Sequence, residues 1–357
     1  MSPVSTKTDS QPPSDSYPRP PLQQTGILDL YESFEVTPVI GREYPKVQIR
    51  DLLESPQADE LLKELAIIIS RRGVVFFRSQ DLTPQEQKAF TDKLGRLAGK
   101  PASSGLHIHP IINAEREAAH LPLDKAGTPN TDNSISVISS KHRRATYTSR
   151  VSNAEEWHSD ITFEPAPADY TSLKVHTVPP TGGDTLWSSG YEIYDLLSPP
   201  FKALADSLTG YYAQPNFIEA AKRGGYRVHP GPRGSDDNVG ETLDAIHPFV
   251  RTNPVTGWKS VFGVGTHFQR FEGLHKREGE ILRQYVLELV TSHHTAQARL
   301  KWGENDLAVW DNRSTFHAAS PDYESDRAGV RAVSVGERPY YDPASQSRRE
   351  ELGNRLI

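Results

Sequence analysis

The stretch Trp157-His158-Ser159-Asp160 places a histidine and a carboxylate one residue apart. Side chains alternate between the two faces of a strand, so a strand here would point His158 and Asp160 to the same face. One imidazole and one carboxylate suit a divalent metal, and a second histidine would complete the 2-His-1-carboxylate set that is typical of non-haem Fe(II) oxygenases. The alternative is a strand-end histidine bonded to a nearby aspartate, because 13 histidines and 46 acidic residues make chance His-x-Asp pairs common.

Composition restricts the chemistry that such a site can use. The 357 residues suffice for one elaborated domain or two ordinary ones. A formal charge of -6 argues against a general nucleic-acid binder. The chain has no cysteine, so disulfides, thiolate ligands and a thiol nucleophile are excluded. A metal would therefore be held by His, Asp, Glu and water.

The chain termini differ in composition from the rest of the sequence. Residues 1–25 are rich in Ser, Pro, Thr and Gln and predict a disordered tail, 26–345 a single domain, and 346–357 a C-terminal tail. The N-terminus lacks the apolar segment of a signal peptide, and no apolar run approaches the roughly 18 residues of a membrane span. These features predict a cytoplasmic protein that does not associate with membranes.

Hydrophobic periodicity and turn residues predict many short strands with a few helices. The predicted helices run from Ser55-Pro56 to Gly73, from the capping box at Thr83 to about Leu97, from Ser198 through Leu208, and from about Lys276 to Ser292. The predicted strands are 74–77, 134–140, 146–151, 169–178, 246–251, 259–264, 306–313 and 330–336. Residues 224–242 are polar and rich in Gly and Pro, as in a surface excursion or mobile lid. This order predicts a mainly β protein, a double-sheet jelly roll with flanking helices.

Several motifs in a fixed order resemble one known family. They are His158-x-Asp160, Gly182-Gly183-Asp184-Thr185-Leu186-Trp187, Trp310-Asp311-Asn312-Arg313-x-x-x-His317, Arg327 and Arg331. This order resembles the taurine dioxygenase (TauD/TfdA) family of Fe(II)- and 2-oxoglutarate-dependent dioxygenases, in its sulfonate dioxygenase-like branch. The similarity covers roughly residues 35–342, including Leu106-His107-Ile108-His109-Pro110. It implies a cupin-like double-stranded β-helix.

The resemblance also implies a role for five of these residues. His158, Asp160 and His317 would hold Fe(II) on one triangular face, leaving positions for 2-oxoglutarate and O2. Arg327 and Thr185 would bind the far carboxylate of 2-oxoglutarate, and a planar guanidinium suits a carboxylate because it donates two parallel hydrogen bonds. Taken alone, Arg327 would be interpreted as a surface charge in its acidic neighbourhood, and the other motifs favour the cosubstrate role.

The substrate pocket is implied to hold an anion. His109 and Arg331 match the family positions that bind a sulfonate, and His267 falls near a position that lines the pocket. Where the taurine enzyme has a tyrosine this chain has Ile112, and Asn153 and Ala154 replace polar residues that recognise the amine. We therefore expect a less polar acid than taurine, such as a longer alkyl sulfonate, whose hydroxylation would release sulfite and an aldehyde.

Other readings stay open at this point. The same chemistry on a sulfate ester, a purine or a secondary metabolite would use the same iron and cosubstrate. A non-catalytic jelly-roll binding protein would keep the fold without turnover, and a metal-dependent hydrolase would use the metal ligands without Arg327 and Thr185. The expected partner is a small anionic substrate, with no nucleic acid and no membrane. A homo-oligomer stays open as well.

Overall fold

The computed structural model describes residues 17–111, 133–140, 154–224 and 227–353. Strands are numbered in chain order: Phe34–Glu35 (β1), Arg42–Tyr44 (β2), Val74–Phe77 (β3), Ile135–Ser139 (β4), Ala168–Thr177 (β5), Thr185–Ser189 (β6), Thr209–Ala213 (β7), Asp244–Pro248 (β8), Val250–Thr252 (β9), Lys259–Val261 (β10), Phe268–Phe271 (β11), Gln297–Leu300 (β12), Asp306–Asp311 (β13), Thr315–Ala319 (β14) and Ala328–Val335 (β15). The α-helices are Ile49–Glu54 (α1), Ala58–Arg72 (α2), Pro84–Leu97 (α3), Gly190–Leu196 (α4), Pro199–Ser207 (α5), Pro215–Gly224 (α6), Lys276–Ser292 (α7) and Arg348–Leu352 (α8).

Two layers of mainly antiparallel sheet form the centre of the fold, with β2 and β3 as a parallel pair. The larger sheet has the order β1-β2-β3-β13-β5-β15-β4, and a smaller sheet has the order β12-β6-β14. Tryptophans fill the space between them: the ring of Trp187 on β6 lies 5.8 Å from that of Trp310 on β13 and 5.2 Å from that of Phe76 on β3. All three side chains are buried. The arrangement is the predicted jelly roll, a double-stranded β-helix with helices outside it.

Helices cover the outer face of the large sheet. Residues of β5 alternate, so that Leu173 packs in the tryptophan core while Tyr170 and Ser172 face α2 and α3. The hydroxyls of Tyr170 and Ser70 lie 2.7 Å apart, and Gln87 Nε2 donates to Ser172 Oγ at 3.1 Å. The helices therefore hold one side of the strand whose other side reaches the candidate site.

The local predictions differ in outcome. Strand β3, the capping box at Thr83 and helix α7 are confirmed at the predicted positions. Ser55 does not open the next helix, because the chain forms α1 before it and α2 begins at Ala58. Helix α6 and strand β7 were not predicted. The predicted strand at 146–151 lies outside the described residues.

The described parts of both predicted tails make contacts with the folded body. The N–H of Leu22 donates to a backbone carbonyl, and its side chain packs against the core under α2. Near the other end, the indole N–H of Trp258 donates to Glu351 at 2.7 Å. Residues 17–25 and 346–352 therefore make contacts with the domain that the composition of these polar segments does not indicate. Within the described residues, none of the helices combines the length and apolar character that crossing a membrane requires.

Two helical glycines give a matched test of this packing. A Cβ at Gly95 in α3 would lie 2.5 Å from Ser334 Oγ and 2.7 Å from Asp169 Oδ2, whereas one at Gly279 in α7 would meet only Phe271 at 3.7 Å. We expect Gly95→Ala to lower the free energy of unfolding by roughly 1–3 kcal/mol through overpacking. Gly279→Ala should raise it by about 0.5–1 kcal/mol through helix propensity. Urea unfolding measures both, and equal effects of the two substitutions would contradict the close approach of α3 to the sheet.

Candidate active site

A short backbone bridge brings two distant histidines together. His158 N donates to His317 O at 3.0 Å, and His317 N donates to His158 O at 2.8 Å. This bridge is isolated, because the chain turns immediately after it at Asp160, with Ile161 at φ 49°. The predicted strand through the His-x-Asp motif is therefore wrong in extent, although His158 and Asp160 still approach the same point.

The three candidate ligands converge as the motif order predicts. One ligand atom from each of His158, Asp160 and His317 lies within 4.8 Å of the others. The Nε2 atoms of the two histidines are each 3.9 Å from Asp160 Oδ1. His158 donates its Nδ1 proton to the carbonyl of Glu156 at 2.7 Å, so its Nε2 carries the lone pair that a metal needs.

Asp160 is held ionised by its surroundings. Burial, the largest single influence, would raise its pKa. Arg331, the two histidines and the hydrogen bond from Thr171 together outweigh burial, and the pKa of the carboxyl lies well below its usual value. Arg331 Nη1 donates to Oδ1 at 2.9 Å and Thr171 Oγ1 to Oδ2 at 2.9 Å. Asn312 accepts the backbone N–H of Asp160 at 2.9 Å and donates to Thr171 at 2.8 Å. The carboxylate is thereby fixed in one orientation.

The buried histidines are neutral around pH 7. Burial, followed by the nearby His158, lowers the pKa of His317 to about 3, and the same causes lower the pKa of His267 to about 3. Neutral imidazole is the form that binds a metal. Two imidazoles and one ionised carboxylate on one face therefore fit a divalent ion such as Fe(II), with the remaining positions left for other ligands.

Arg327 and Thr185 form a polar group inside the jelly roll. Arg327 is only 4% exposed, so its interpretation as a surface charge is wrong. Its Nε donates to the carbonyl of Gly183 at 2.8 Å and its Nη2 to Thr185 Oγ1 at 3.3 Å. Trp302 Nε1 also donates to Thr185, at 3.0 Å. A buried guanidinium beside a hydroxyl suits a carboxylate ligand.

Aromatic rings line another side of the site. The ring of His109 packs 4.9 Å from Phe217 on α6, and Phe163 lies 5.8 Å from Phe217 and 5.0 Å from His267. The Nδ1 of His267 lies 2.9 Å from the hydroxyl of Thr162. The predicted pocket residues His109 and His267 thus belong to one aromatic wall. Ile112 lies outside the described residues.

The polar segment 224–242 is not a simple surface excursion. Arg233 is fully buried, and its Nε and Nη2 donate to the two oxygens of Glu164 at 2.5 and 2.8 Å. Its Nη1 donates to the carbonyls of His229 and Gly240, at 2.7 and 2.8 Å. Arg233 therefore holds two parts of this segment together through the carbonyls of His229 and Gly240. Its ion pair with Glu164 attaches the segment to the residues that follow Asp160.

The same ion pair reaches the His109 segment. His107 Nε2 lies 3.4 Å from Glu164, and His229 N donates to the carbonyl of Pro110 at 2.6 Å. Sequence reasoning missed Glu164 and Arg233 because an isolated charge in a polar stretch carries no periodic signal. It also left Thr171 and the amide of Asn312 without a role, although Asn312 stands inside a recognised motif.

A jelly roll in which two histidines and an aspartate converge on one point is typical of the cupin-like, metal-dependent oxygenases. The family model described as "Taurine catabolism dioxygenase TauD, TfdA family" matches residues 32–333. The chain belongs to this family. It is an Fe(II)- and 2-oxoglutarate-dependent dioxygenase, and its cosubstrates are 2-oxoglutarate and O2.

Three similar proteins illustrate the range of the resemblance. The alpha-ketoglutarate-dependent dioxygenase btcD of Neocamarosporium betae is 44% identical over 92% of this chain and 98% of its own. The alpha-ketoglutarate-dependent sulfonate dioxygenase of Saccharomyces cerevisiae is 29% identical over 86% of this chain and 68% of its own. The crystal structure of a taurine dioxygenase from Burkholderia xenovorans superimposes with a TM-score of 0.64 at 26% identity, covering 88% of this chain and 92% of that one. Alpha-ketoglutarate is another name for 2-oxoglutarate.

Arg233 and Arg338 provide a matched test of stability, because the first is buried and the second is exposed. The Arg233 and Glu164 side chains are 1% and 0% exposed, whereas those of the pair Arg338–Asp237 are 64% and 41% exposed. We expect Arg233→Met to cost about 3–5 kcal/mol, because it leaves a buried carboxylate without its partner. Arg338→Met should cost about 0–1 kcal/mol. Thermal and urea unfolding measure the difference, and similar losses in both variants would refute the buried role of Arg233.

Proposed function

We propose that this enzyme hydroxylates a small organic anion, in the first instance an alkyl sulfonate, coupled to oxidative decarboxylation of 2-oxoglutarate to succinate and CO2. The observation that carries the proposal is the position of Arg331 beside the candidate iron ligands. Its Nη1 binds Asp160, while its Nε is buried and has no hydrogen-bond partner among the described residues. A buried donor without a partner costs free energy, so an anionic substrate group is the natural acceptor.

The proposed division of roles follows from the geometry of the site. His158, Asp160 and His317 would hold Fe(II), which when bound supplies the oxygen chemistry for C–H hydroxylation. Arg327 and Thr185 would hold the far carboxylate of 2-oxoglutarate, because their donors converge inside the jelly roll away from water. The protein's own contribution is orientation of both organic ligands around the metal.

Anchoring the sulfonate at Arg331 determines which carbon reacts. Because Arg331 contacts the metal ligand Asp160, the carbon that bears the sulfonate would lie next to the metal. Hydroxylation there gives an α-hydroxysulfonate. Loss of the hydroxyl proton forms the aldehyde C=O bond as the C–S bond breaks and its electron pair leaves with sulfite.

The rest of the pocket favours an apolar substrate body. Phe163, Phe217 and His267 present aromatic rings, and His267 is neutral, so this wall offers stacking rather than a counter-charge for an amine. Ala154 likewise carries no polar group at the position where the family's taurine enzyme is polar. The same wall favours a second candidate, the identical reaction on a ring-bearing secondary metabolite, purine or sulfate ester.

The arginine pair Arg327 and Arg299 tests the cosubstrate site. Arg327→Ala should weaken 2-oxoglutarate binding roughly 10- to 100-fold, since it removes charge-assisted hydrogen bonds. The matched control is Arg299→Ala, because Arg299 binds Asp184 next to Thr185 but its side chain is 55% exposed. Calorimetric titration of 2-oxoglutarate measures both variants. An Arg327→Ala variant that binds 2-oxoglutarate normally would refute the proposed role of Arg327 in cosubstrate binding.

A substrate screen tests the substrate class. Iron-loaded protein is incubated with 2-oxoglutarate and with alkyl sulfonates, sulfate esters and carboxylates of matched chain length, together with taurine and purines. We expect sulfonate-dependent succinate and equimolar sulfite, with Arg331→Gln raising KM about tenfold or more. Taurine should react more slowly than an amine-free sulfonate.

Each contrary outcome of the screen has a distinct meaning. Taurine turnover faster than that of every amine-free sulfonate would refute the apolar-body argument. Succinate formed only with a sulfate ester, purine or secondary metabolite would establish the second candidate. No 2-oxoglutarate binding and no succinate with any compound would favour a non-catalytic binding protein.

A further inference from the structure

A second cavity, of about 200 Å³, lies at the C-terminal end of α2. Two apolar residues of its lining, Ile68 and Trp258, are buried. Its charged lining consists of four arginines and one carboxylate: Arg42, Arg71, Arg72, Arg348 and Glu35. None of these residues belongs to the active site described above.

The single carboxylate is already shared by two of the arginines. Arg42 Nε donates to Glu35 Oε1 at 3.0 Å, and Arg72 Nε lies 2.5 Å from Glu35 Oε2. The Glu35 side chain is 40% exposed, so its charge is partly screened by water. Glu35 therefore offsets at most one of the four positive charges in the cavity.

Arg348 carries a buried charge without a direct counter-ion. It is 5% exposed, its Nε has no hydrogen-bond partner among the described residues, and its Nη2 reaches only the carbonyl of Pro38, at 3.5 Å. The nearby carboxylates Glu192 and Asp195 raise the pKa of Arg348 against the effect of burial, but their ion pairs are with Arg349 and Lys202 respectively. A buried guanidinium in this state is unfavourable unless an anion approaches it.

The other arginines show the same crowding of positive charge. Arg71 lies over the ring of Trp258, with its guanidinium carbon 4.7 Å from the ring centroid, and no carboxylate of the described residues is within ion-pair distance of it. Burial lowers the pKa of Arg72 to about 10, with Arg348 and Arg42 adding to the effect against Glu35. Arg71 and Arg72 lie in the last turn of α2, where the helix dipole favours positive side chains. The dipole does not account for the presence of four arginines in one cavity.

We propose that this cavity is a binding site for a compact multivalent oxyanion, a phosphate or sulfate group, held chiefly by Arg71 and Arg348. Planar guanidinium groups recognise such tetrahedral oxyanions through paired hydrogen bonds. Ile68 and Trp258 add apolar surface without adding a negative charge that would oppose the anion. The site is independent of the proposed reaction, because it shares no residue with the iron or substrate positions.

The proposal is tested by titrating inorganic phosphate into the full chain by calorimetry at constant ionic strength and neutral pH. We expect saturable one-site binding that sulfate displaces and chloride does not. Arg71→Gln and Arg348→Gln should each weaken it about tenfold or more. Glu35→Gln should tighten it, because it removes the carboxylate of the cavity lining, whose negative charge opposes a bound anion.

Two further variants locate the bound anion. Arg277→Gln, on the exposed surface of α7 with a side chain 82% exposed, should bind phosphate as the wild type does. So should Arg331→Gln in the active site. Absence of saturable binding in the wild type, or unchanged affinity in both Arg71→Gln and Glu35→Gln, would overturn the proposal. Loss of binding in Arg331→Gln alone would place the anion in the active site and also overturn it. Arg71 is half-buried, so its variant remains informative if Arg348→Gln does not fold.

Discussion

The two backbone hydrogen bonds between His158 and His317 are the constraint on which the candidate site depends. Each histidine lies in a different part of the chain, and one belongs to β14 of the small sheet. The bridge fixes their backbones side by side, so both imidazoles project toward Asp160. Together with the hydrogen bond from Asp160 N to Asn312 Oδ1, it fixes the turn that follows His158 relative to the jelly roll.

Electrostatics then determines the state of the ligands. The carboxylate of Asp160 is ionised because Arg331 and Thr171 satisfy both of its oxygens, and His317 is neutral because it is buried. The arginine that stabilises the metal ligand is also the residue proposed to bind substrate. The charge of the substrate and the charge of the metal site are therefore coupled through the guanidinium of Arg331. A substitution of Arg331 should affect the metal site as well as substrate binding.

Buried ion pairs recur around the site. Arg233–Glu164 holds residues 227–242, and Arg313–Asp311 fixes the turn between β13 and β14. Such pairs add little net stability over apolar packing, but they have one favourable geometry and are costly to break. Placed around an active site, they keep loops in a defined position where hydrophobic contacts alone would allow several.

Local sequence was sufficient for features that depend on neighbouring residues. The capping box at Thr83, the buried strand β3 and the periodicity of α7 were predictable because each is specified within a few turns of chain. The candidate metal ligands and the pair Arg327 and Thr185 were identified from the family resemblance, which rests on the order of motifs along the chain. Their convergence in the structure agrees with that prediction.

Only the tertiary structure decided which polar residues are buried and what they bind. Arg233, Glu164 and Arg348 look like ordinary surface charges in the sequence, yet all three are buried. The turn at Asp160 and the ordering of residues 17–25 likewise depend on contacts with segments far away in the chain. Side-chain type and spacing thus determined the fold and the kind of chemistry. Burial, and with it the position of each charge, follows from long-range packing that no local pattern encodes.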